Sequence, residues 1–219
     1  MKAYSVNPSH ERTIPFFHRK KLEASVEWAK AEGAQTVIEL FAGTGILSRL
    51  YQDAGIRPVL CVENDPGRFE KLRQVVGAAA ILADNRRLPF AGPLDADLLD
   101  FDPFGYPYEC LLANRNRLRV GQLILVTVSA FQVKLNRRLP KFWRTLARET
   151  FGFSHPYERQ LAEGRGIGIG PLVTRDFLNA LVGKVSVLHD LGAQGRATCD
   201  RTMFRIESLD HLRVERRTA

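Results

Sequence analysis

Cysteine is scarce in this 219-residue chain: Cys61, Cys110 and Cys199 are odd in number, widely spaced, and form no C-x-x-C pair. A disulfide framework and a thiolate zinc site are thereby excluded, and reduced thiols are expected. No apolar run approaches the roughly 20 residues of a membrane helix. The longest, Leu123 to Ala130, falls far short, and the N-terminus has no apolar h-region. The expectation is a soluble, cytoplasmic protein with no membrane partner. The histidines, His10, His18, His155, His189 and His211, show no ligand spacing, so no metal is expected. Internal repeats and low-complexity segments are also absent. What remains, 45% hydrophobic and 26% charged residues, is ordinary globular composition. At this length about 70% of the unfolded surface can be buried without a staple.

Acidic residues are missing from one stretch in particular. The net charge is +8, yet the chain up to Leu112 carries 13 basic and 15 acidic residues, and the remainder carries 19 and 9. From Ala113 to Arg148 nine basic residues stand without an acidic one: Arg115, Arg117, Arg119, Lys134, Arg137, Arg138, Lys141, Arg144 and Arg148. Such a block suits a phosphate backbone, although a solvated face has the same composition. Phe131, Phe142 and Trp143 interleave with it and read either as base-stacking platforms or as core.

Hydrophobic periodicity alternates between strand and helix. His18 to Glu32 reads as an amphipathic helix with Leu22, Val26 and Ala29 on one stripe. Strands are expected at Thr36 to Leu40, Val59 to Val62, Ala80 to Leu82, Ala96 to Phe101 and Gln122 to Val128. Helices at Ile46 to Ala54, Gly67 to Val76 and from about Tyr108 separate them. That alternation builds a parallel sheet with helices on both faces. Some 50 residues then precede the next strand-like runs, Val185 to Leu188 and Thr202 to Ile206, which read as a closing antiparallel hairpin. Helices at about Leu139 to Phe151 and Arg175 to Leu181 flank a glycine-rich loop, Gly164 to Gly170, which reads as a flexible connection, a mobile gate or a phosphate nest.

In open parallel sheets ligands bind at the carboxyl ends of the strands, where the topology reverses. Four successive strand ends carry suitable residues. After the first comes Glu39-Leu-Phe41-Ala-Gly43-Thr-Gly45, whose glycines admit close backbone approach ahead of a helix N-terminus. The second ends in Glu63-Asn64, with a carboxylate for ribose hydroxyls, and the third in Asp84-Asn85, suited to an adenine amine. The fourth ends in Asp102-Pro103-Phe104-Gly105. A nicotinamide dinucleotide fingerprint would need glycine where Ser48 stands. S-adenosylmethionine fits better, having no pyrophosphate and a charged methionine end that tolerates Glu39.

The run VIELFAGTGILSRLY, followed by Glu63 and Asp84, resembles the class I S-adenosylmethionine-dependent methyltransferases over most of the chain. Asn64-Asp65 and Asp102-Pro103-Phe104-Gly105, with Pro107 nearby, resemble the tRNA (guanine-N2)-dimethyltransferases within that superfamily. Asn7-Pro8 and Arg12 echo the family's N-terminal residues at shorter spacing. Where amino-group methyltransferases have a second proline in (D/N/S)-P-P-(Y/F), this chain has Phe104. The resemblance implies a Rossmann-like class I methyltransferase fold: a mostly parallel seven-stranded sheet with an antiparallel edge hairpin. It implies one methyltransferase domain over 1–219, with a helical extension at 1–35 and a helical, glycine-rich insertion at 130–184. The family's C-terminal tRNA-binding domain is not expected in this chain.

The reaction implied is methylation of an exocyclic base amine in RNA, with guanine N2 of tRNA favoured and RNA favoured over DNA as partner. Such an amine is a poor nucleophile, its lone pair being delocalised into the ring. Asp102, with Pro103, Phe104 and Gly105 as the catalytic segment, would accept an N–H hydrogen bond and take up the proton. Tyr106 and Tyr108 would hold a flipped base by stacking, or would simply form a rigid turn opening a helix. Arg115, Arg137, Arg138, Lys141 and Arg144 would meet phosphates. A DNA or protein methyltransferase, and a non-catalytic nucleic-acid-binding protein on the same scaffold, remain alternatives.

Overall fold

Aliphatic runs between glycine turns become the strands of one sheet in the computed structural model, which describes residues 16–103, 107–128, 170–191 and 200–209. The elements in order are α1 (Phe16–Ala31), β1 (Thr36–Leu40), α2 (Ile46–Asp53), β2 (Arg57–Glu63), α3 (Pro66–Val76), β3 (Ala80–Leu82), β4 (Leu98–Phe101), α4 (Tyr108–Asn114), β5 (Leu123–Val128), α5 (Gly170–Val182), β6 (Gly183–Asp190) and β7 (Asp200–Leu209). The seven strands lie in the order β3-β2-β1-β4-β5-β7-β6. β1 to β5 are parallel, and β7 runs antiparallel between β5 and β6.

Hydrophobic side chains alternate between the two faces, and helices cover both. On one face Ile124, Val126 and Val128 of β5 pack with Tyr108 and Leu111 of α4 and Phe177, Leu178 and Leu181 of α5. On the other, Leu123 and Leu125 join Leu22 and Ala29 of α1 and Leu47 and Tyr51 of α2. All six residues of β5 are buried, as a central strand requires. The strand order reverses between β1 and β4, and this switch point positions the site.

Local chemistry moves several boundaries from their sequence-based positions. β4 begins at Leu98, not Ala96, because the Asp97 carboxylate accepts from the backbone N–H groups of Gln35 and Thr36 and from the Thr36 hydroxyl. It clamps the start of β1, while Ala96 N–H turns back to the Leu94 carbonyl. β2 extends back to Arg57 through Pro58, and a bulge opposite Val37/Ile38 accommodates the proline that cannot donate to the ladder. α5 is longer than expected, with Pro171 in its first turn where a missing N–H costs nothing. The expected helix at 139–151, residues 164–169 of the glycine loop, and Asn7, Pro8 and Arg12 lie outside the described residues.

Candidate active site

The end of β1 cannot continue as a strand. Phe41 has φ +83°, alone among the described non-glycine residues in its positive value, and the turn passes through Gly43 (φ +60°) and Gly45 (φ +83°). A left-handed phenylalanine is strained, and such strain clusters at functional sites. The N–H groups of Phe41 and Ala42 both donate to the Val62 carbonyl, which ties the turn to β2. Gly45 is required twice over: its φ disfavours a side chain, and a Cβ there would sit 3.1 Å from Leu72 and 3.2 Å from Val75 of α3. Around Gly43 the direction of a Cβ is open, leaving room for a ligand beside the backbone.

Glu63, at the end of β2, is 5% exposed and holds this turn in place. Its Oε2 accepts from Gly43 N–H at 2.9 Å, and its Oε1 from Asn64 and Asp65 N–H, each at 2.9 Å. A carboxylate has about four acceptor positions, so about one remains for an incoming hydroxyl. Asp65 caps α3 by accepting from Arg68 N–H at 2.8 Å. Ala83 N–H donates to the Glu63 carbonyl and brings the end of β3 alongside. There the Asp84 carboxylate is gripped by Arg86, which holds it below its usual pKa and also reaches Glu109. Asn85 is 3% exposed, and its Oδ1 has no partner among the described residues.

Across the switch point, Asp102 N–H donates to the Leu40 carbonyl at 3.4 Å, so the residue expected to carry the chemistry lies against the glycine turn. Its carboxylate receives Lys21 Nζ on both oxygens, at 2.9 and 2.7 Å. Arg201 lies 3.8 Å away, and the Thr127 hydroxyl, which accepts from Arg201, also hydrogen-bonds Asp102. Against the cost of burial, Lys21 and then Arg201 hold this carboxyl well below the ordinary range. An acid so placed accepts a hydrogen bond readily and a proton poorly, which opposes the proton-accepting half of the role expected from sequence.

Beneath Asp102 runs a buried polar network. Arg201, wholly buried, donates to Asp100 Oδ2 at 2.6 Å and to the Ser25 hydroxyl at 2.8 Å, and Tyr51 OH donates to the same Asp100 oxygen at 2.8 Å. Glu39, 3% exposed, hydrogen-bonds Ser48 and lies opposite Asp100 in the ladder. Burial, and then the Asp100 charge, push its carboxyl up to about 8. Ser48 thus fills the position a dinucleotide fingerprint would give to glycine, with its hydroxyl buried between Glu39 and Cys61. Sequence reading missed Lys21, Arg201, Ser25 and Thr127, because pairings across 81 and 101 positions leave no local signal.

The fold brings together Glu39, Phe41, Gly43, Gly45, Glu63, Asn64, Asp84, Asn85, Asp102 and Pro103 at the carboxyl ends of β1 to β4. Tyr108 is a correction: it is 2% exposed, packed against Phe177 with ring centroids 4.8 Å apart and planes tilted by 48°, and its hydroxyl meets Thr174, so it is core and not a base platform. The basic block is corrected in part. Arg119 reaches Asp95 and Asp97 at the opposite end of the strands, while Arg117 donates to the Gly92 carbonyl and lies over Phe90. Arg115 lines an open groove with Asp84, Arg86, Arg87 and Glu109. Phe104, Gly105, Tyr106, Arg137, Arg138, Lys141 and Arg144 lie outside the described residues.

No protein-family model matches the chain, and no curated protein matches it. Solved structures do. Trm1 from Pyrococcus horikoshii, in complex with S-adenosyl-L-methionine, aligns with TM-score 0.63 and 13% identity over 91% of this chain, which spans only 57% of that one. A S-adenosylmethionine-dependent methyltransferase from Clostridium acetobutylicum aligns with TM-score 0.57 and 9% identity over 91% of this chain and 98% of its own. Magnesium protoporphyrin IX methyltransferase from Synechocystis, with bound SAM, aligns with TM-score 0.55 and 13% identity over 94% and 87%. With its strand order, its glycine turn after β1 and these neighbours, the chain has the class I S-adenosylmethionine-dependent methyltransferase fold.

Proposed function

We propose that this protein is an S-adenosylmethionine-dependent methyltransferase acting on an exocyclic base amine of RNA, with guanine N2 of tRNA the favoured target. The observation that carries the reading is Asp102: an ionised carboxylate at the switch point, against the glycine turn, in a segment that resembles the guanine-N2 methyltransferases. The open space at Gly43, the remaining acceptor position on Glu63 and the orphan Asn85 Oδ1 suit a nucleoside bearing hydroxyls and an amine. Gly43, Gly45, Glu63, Asn64, Asp84 and Asn85 would hold the cofactor. Glu39, buried and turned toward Ser48 and Asp100, supports the turn from beneath.

When bound, S-adenosylmethionine supplies a methyl group on a sulfonium. Asp102 accepts a hydrogen bond from the target N–H, returns electron density to nitrogen and fixes its approach, while Lys21 and Arg201 keep the carboxylate charged. The proton released after transfer goes to solvent or to a group other than Asp102. Transfer of labelled methyl to total tRNA, rRNA, DNA and protein, followed by digestion to nucleosides or amino acids, tests the reading. N2-methylguanosine from tRNA is expected, and label confined to DNA or protein would replace it with one of the alternatives.

Two further outcomes follow. Glu63→Ala should weaken cofactor binding in calorimetry by ~1 to 3 kcal/mol, through the lost acceptor and the released Gly43 turn. Unchanged affinity would remove Glu63 from the cofactor site. Reversing Arg137 and Arg138 to Glu should weaken RNA binding and reduce its log-log salt slope by about 0.7 to 0.9 per lost phosphate contact, with cofactor affinity intact. If affinity ignores both salt and the reversal, the basic block is a solvated face.

A further inference from the structure

Lys21 belongs to none of the motifs, yet it is 3% exposed and spends its ammonium on both oxygens of Asp102. It sits on α1, the helix preceding the sheet, 81 positions from its partner. One turn on, Ser25 donates to the Lys21 carbonyl at 2.7 Å and accepts from Arg201 Nε, so the helix is fixed to the network at two successive turns. The groups facing Asp102 come from five elements: Lys21 of α1, Arg201 of β7, Thr127 of β5, Asp100 of β4 and Glu39 of β1. Among the described residues Lys21 alone bridges both carboxylate oxygens. A two-point contact restrains rotation of the carboxylate plane and determines which lone pair faces outward, which a surface ion pair does not do.

We propose that Lys21 is a positioning residue for methyl transfer: from α1 it fixes the orientation of the Asp102 carboxylate and thereby aims its free acceptor position at the target amine. The proposal rests on the reading of Asp102 as the residue that receives that amine. It makes α1 a part of the reactive centre and more than a packing extension. Lys21 itself touches no reacting atom and acts through Asp102.

The test uses the full chain, the variants Lys21→Met and Lys21→Arg, and two readouts. In a carboxyl carbon NMR titration, with Asp102 assigned from Asp102→Asn, removal of the ammonium should raise the Asp102 midpoint by about 1 to 3 units. Single-turnover methyl transfer to RNA should fall about 10- to 100-fold in Lys21→Met, in the saturating rate constant more than in the half-saturating concentration, with cofactor affinity within about threefold. Its acid limb should move upward with the NMR midpoint. Lys21→Arg should restore the low midpoint and recover the rate to within about tenfold. Should Lys21→Met fail to fold, Lys21→Gln, with one donor in place of an ammonium, is read in the same two ways. An unmoved midpoint, or an unchanged rate, in a wild type that methylates RNA overturns the role of Lys21 alone. A wild type that transfers methyl to no acceptor overturns the functional reading, and the reaction role of Lys21 with it.

Discussion

Asp102→Asn should lower single-turnover methyl transfer by roughly 10²-fold or more, the scale for losing one preorganised electrostatic contact to the reacting group, while cofactor binding changes little. The amide keeps the size of the side chain but presents one acceptor oxygen instead of two, and its NH2 would face the Lys21 ammonium. The charge that pushes electron density back onto the target nitrogen is lost. Because Lys21 and Arg201 already hold the carboxyl below its usual range, the wild-type rate should show no acid limb at ordinary carboxylate pH. An acid limb near pH 4 would mean that another carboxylate governs the reaction. Asp100→Asn, which sequence position suggests as the control, is unsuitable: Asp100 is 1% exposed and is the partner of Arg201 and Tyr51. Asp95→Asn, on an exposed ion pair with Arg119, is the better control and should leave the rate unchanged. Near-normal transfer by Asp102→Asn would move the chemistry elsewhere.

The elements that position this site announce themselves locally. β-Branched Thr36, Val37 and Ile38, with two glycines shortly after Leu40, state both the strand and the turn, and the Glu63, Asp84 and Asp102 strand ends repeat at strand-helix spacing. The unbroken apolar run of β5 states a central strand. What stayed hidden has one cause: its partners are far away in sequence. Lys21 stands in a run of basic residues, Arg19-Lys20-Lys21, where nothing marks one side chain as buried. Arg201 alternates with Met203 on the face toward α1 and α2, and a charged residue there reads as an edge-strand feature until Asp100 and Thr127 arrive beside it. Tyr108 failed differently. Its neighbour Pro107 opens α4 correctly, but the side turned inward is decided by Phe177 of α5, 69 positions on. The basic block had no acidic member in sequence, and the fold supplies Asp95 and Asp97 from the loop before β4.

Replacing Arg201 by Leu should destabilise the protein by ~3 to 5 kcal/mol at neutral pH, the cost of leaving a buried charge without its partner. Among the described residues Arg201 is the one group near Asp100, Asp102, Ser25 and Thr127 together, so its removal strands the Asp100 carboxylate and breaks the Ser25 tie between α1 and β7. The pH dependence distinguishes this cause from loss of packing. Burial already raises the Asp100 carboxyl in the wild type, against the opposing charge of Arg201, and loss of the guanidinium raises it further, so the native variant holds protons that the unfolded chain has released. Stability then falls as pH rises from the unfolded carboxylate range through the raised values, by up to about 1.4 kcal/mol per unit for each group. Glu39, already pushed up to about 8, contributes the same slope in the wild type between the ordinary carboxylate range and that value. Asp102 has the opposite slope and only below that window: its lowered value gives a stabilisation that is complete above the unfolded carboxylate range and is lost on acidification through it. The difference in unfolding free energy between Arg201→Leu and wild type should therefore shrink from pH 7 toward pH 4 in urea denaturation. The double variant Asp100→Asn with Arg201→Leu should lose less than the sum of its single changes, because the second substitution removes the stranded charge. A pH-independent, additive loss would assign the effect to packing and take Arg201 out of the electrostatic network.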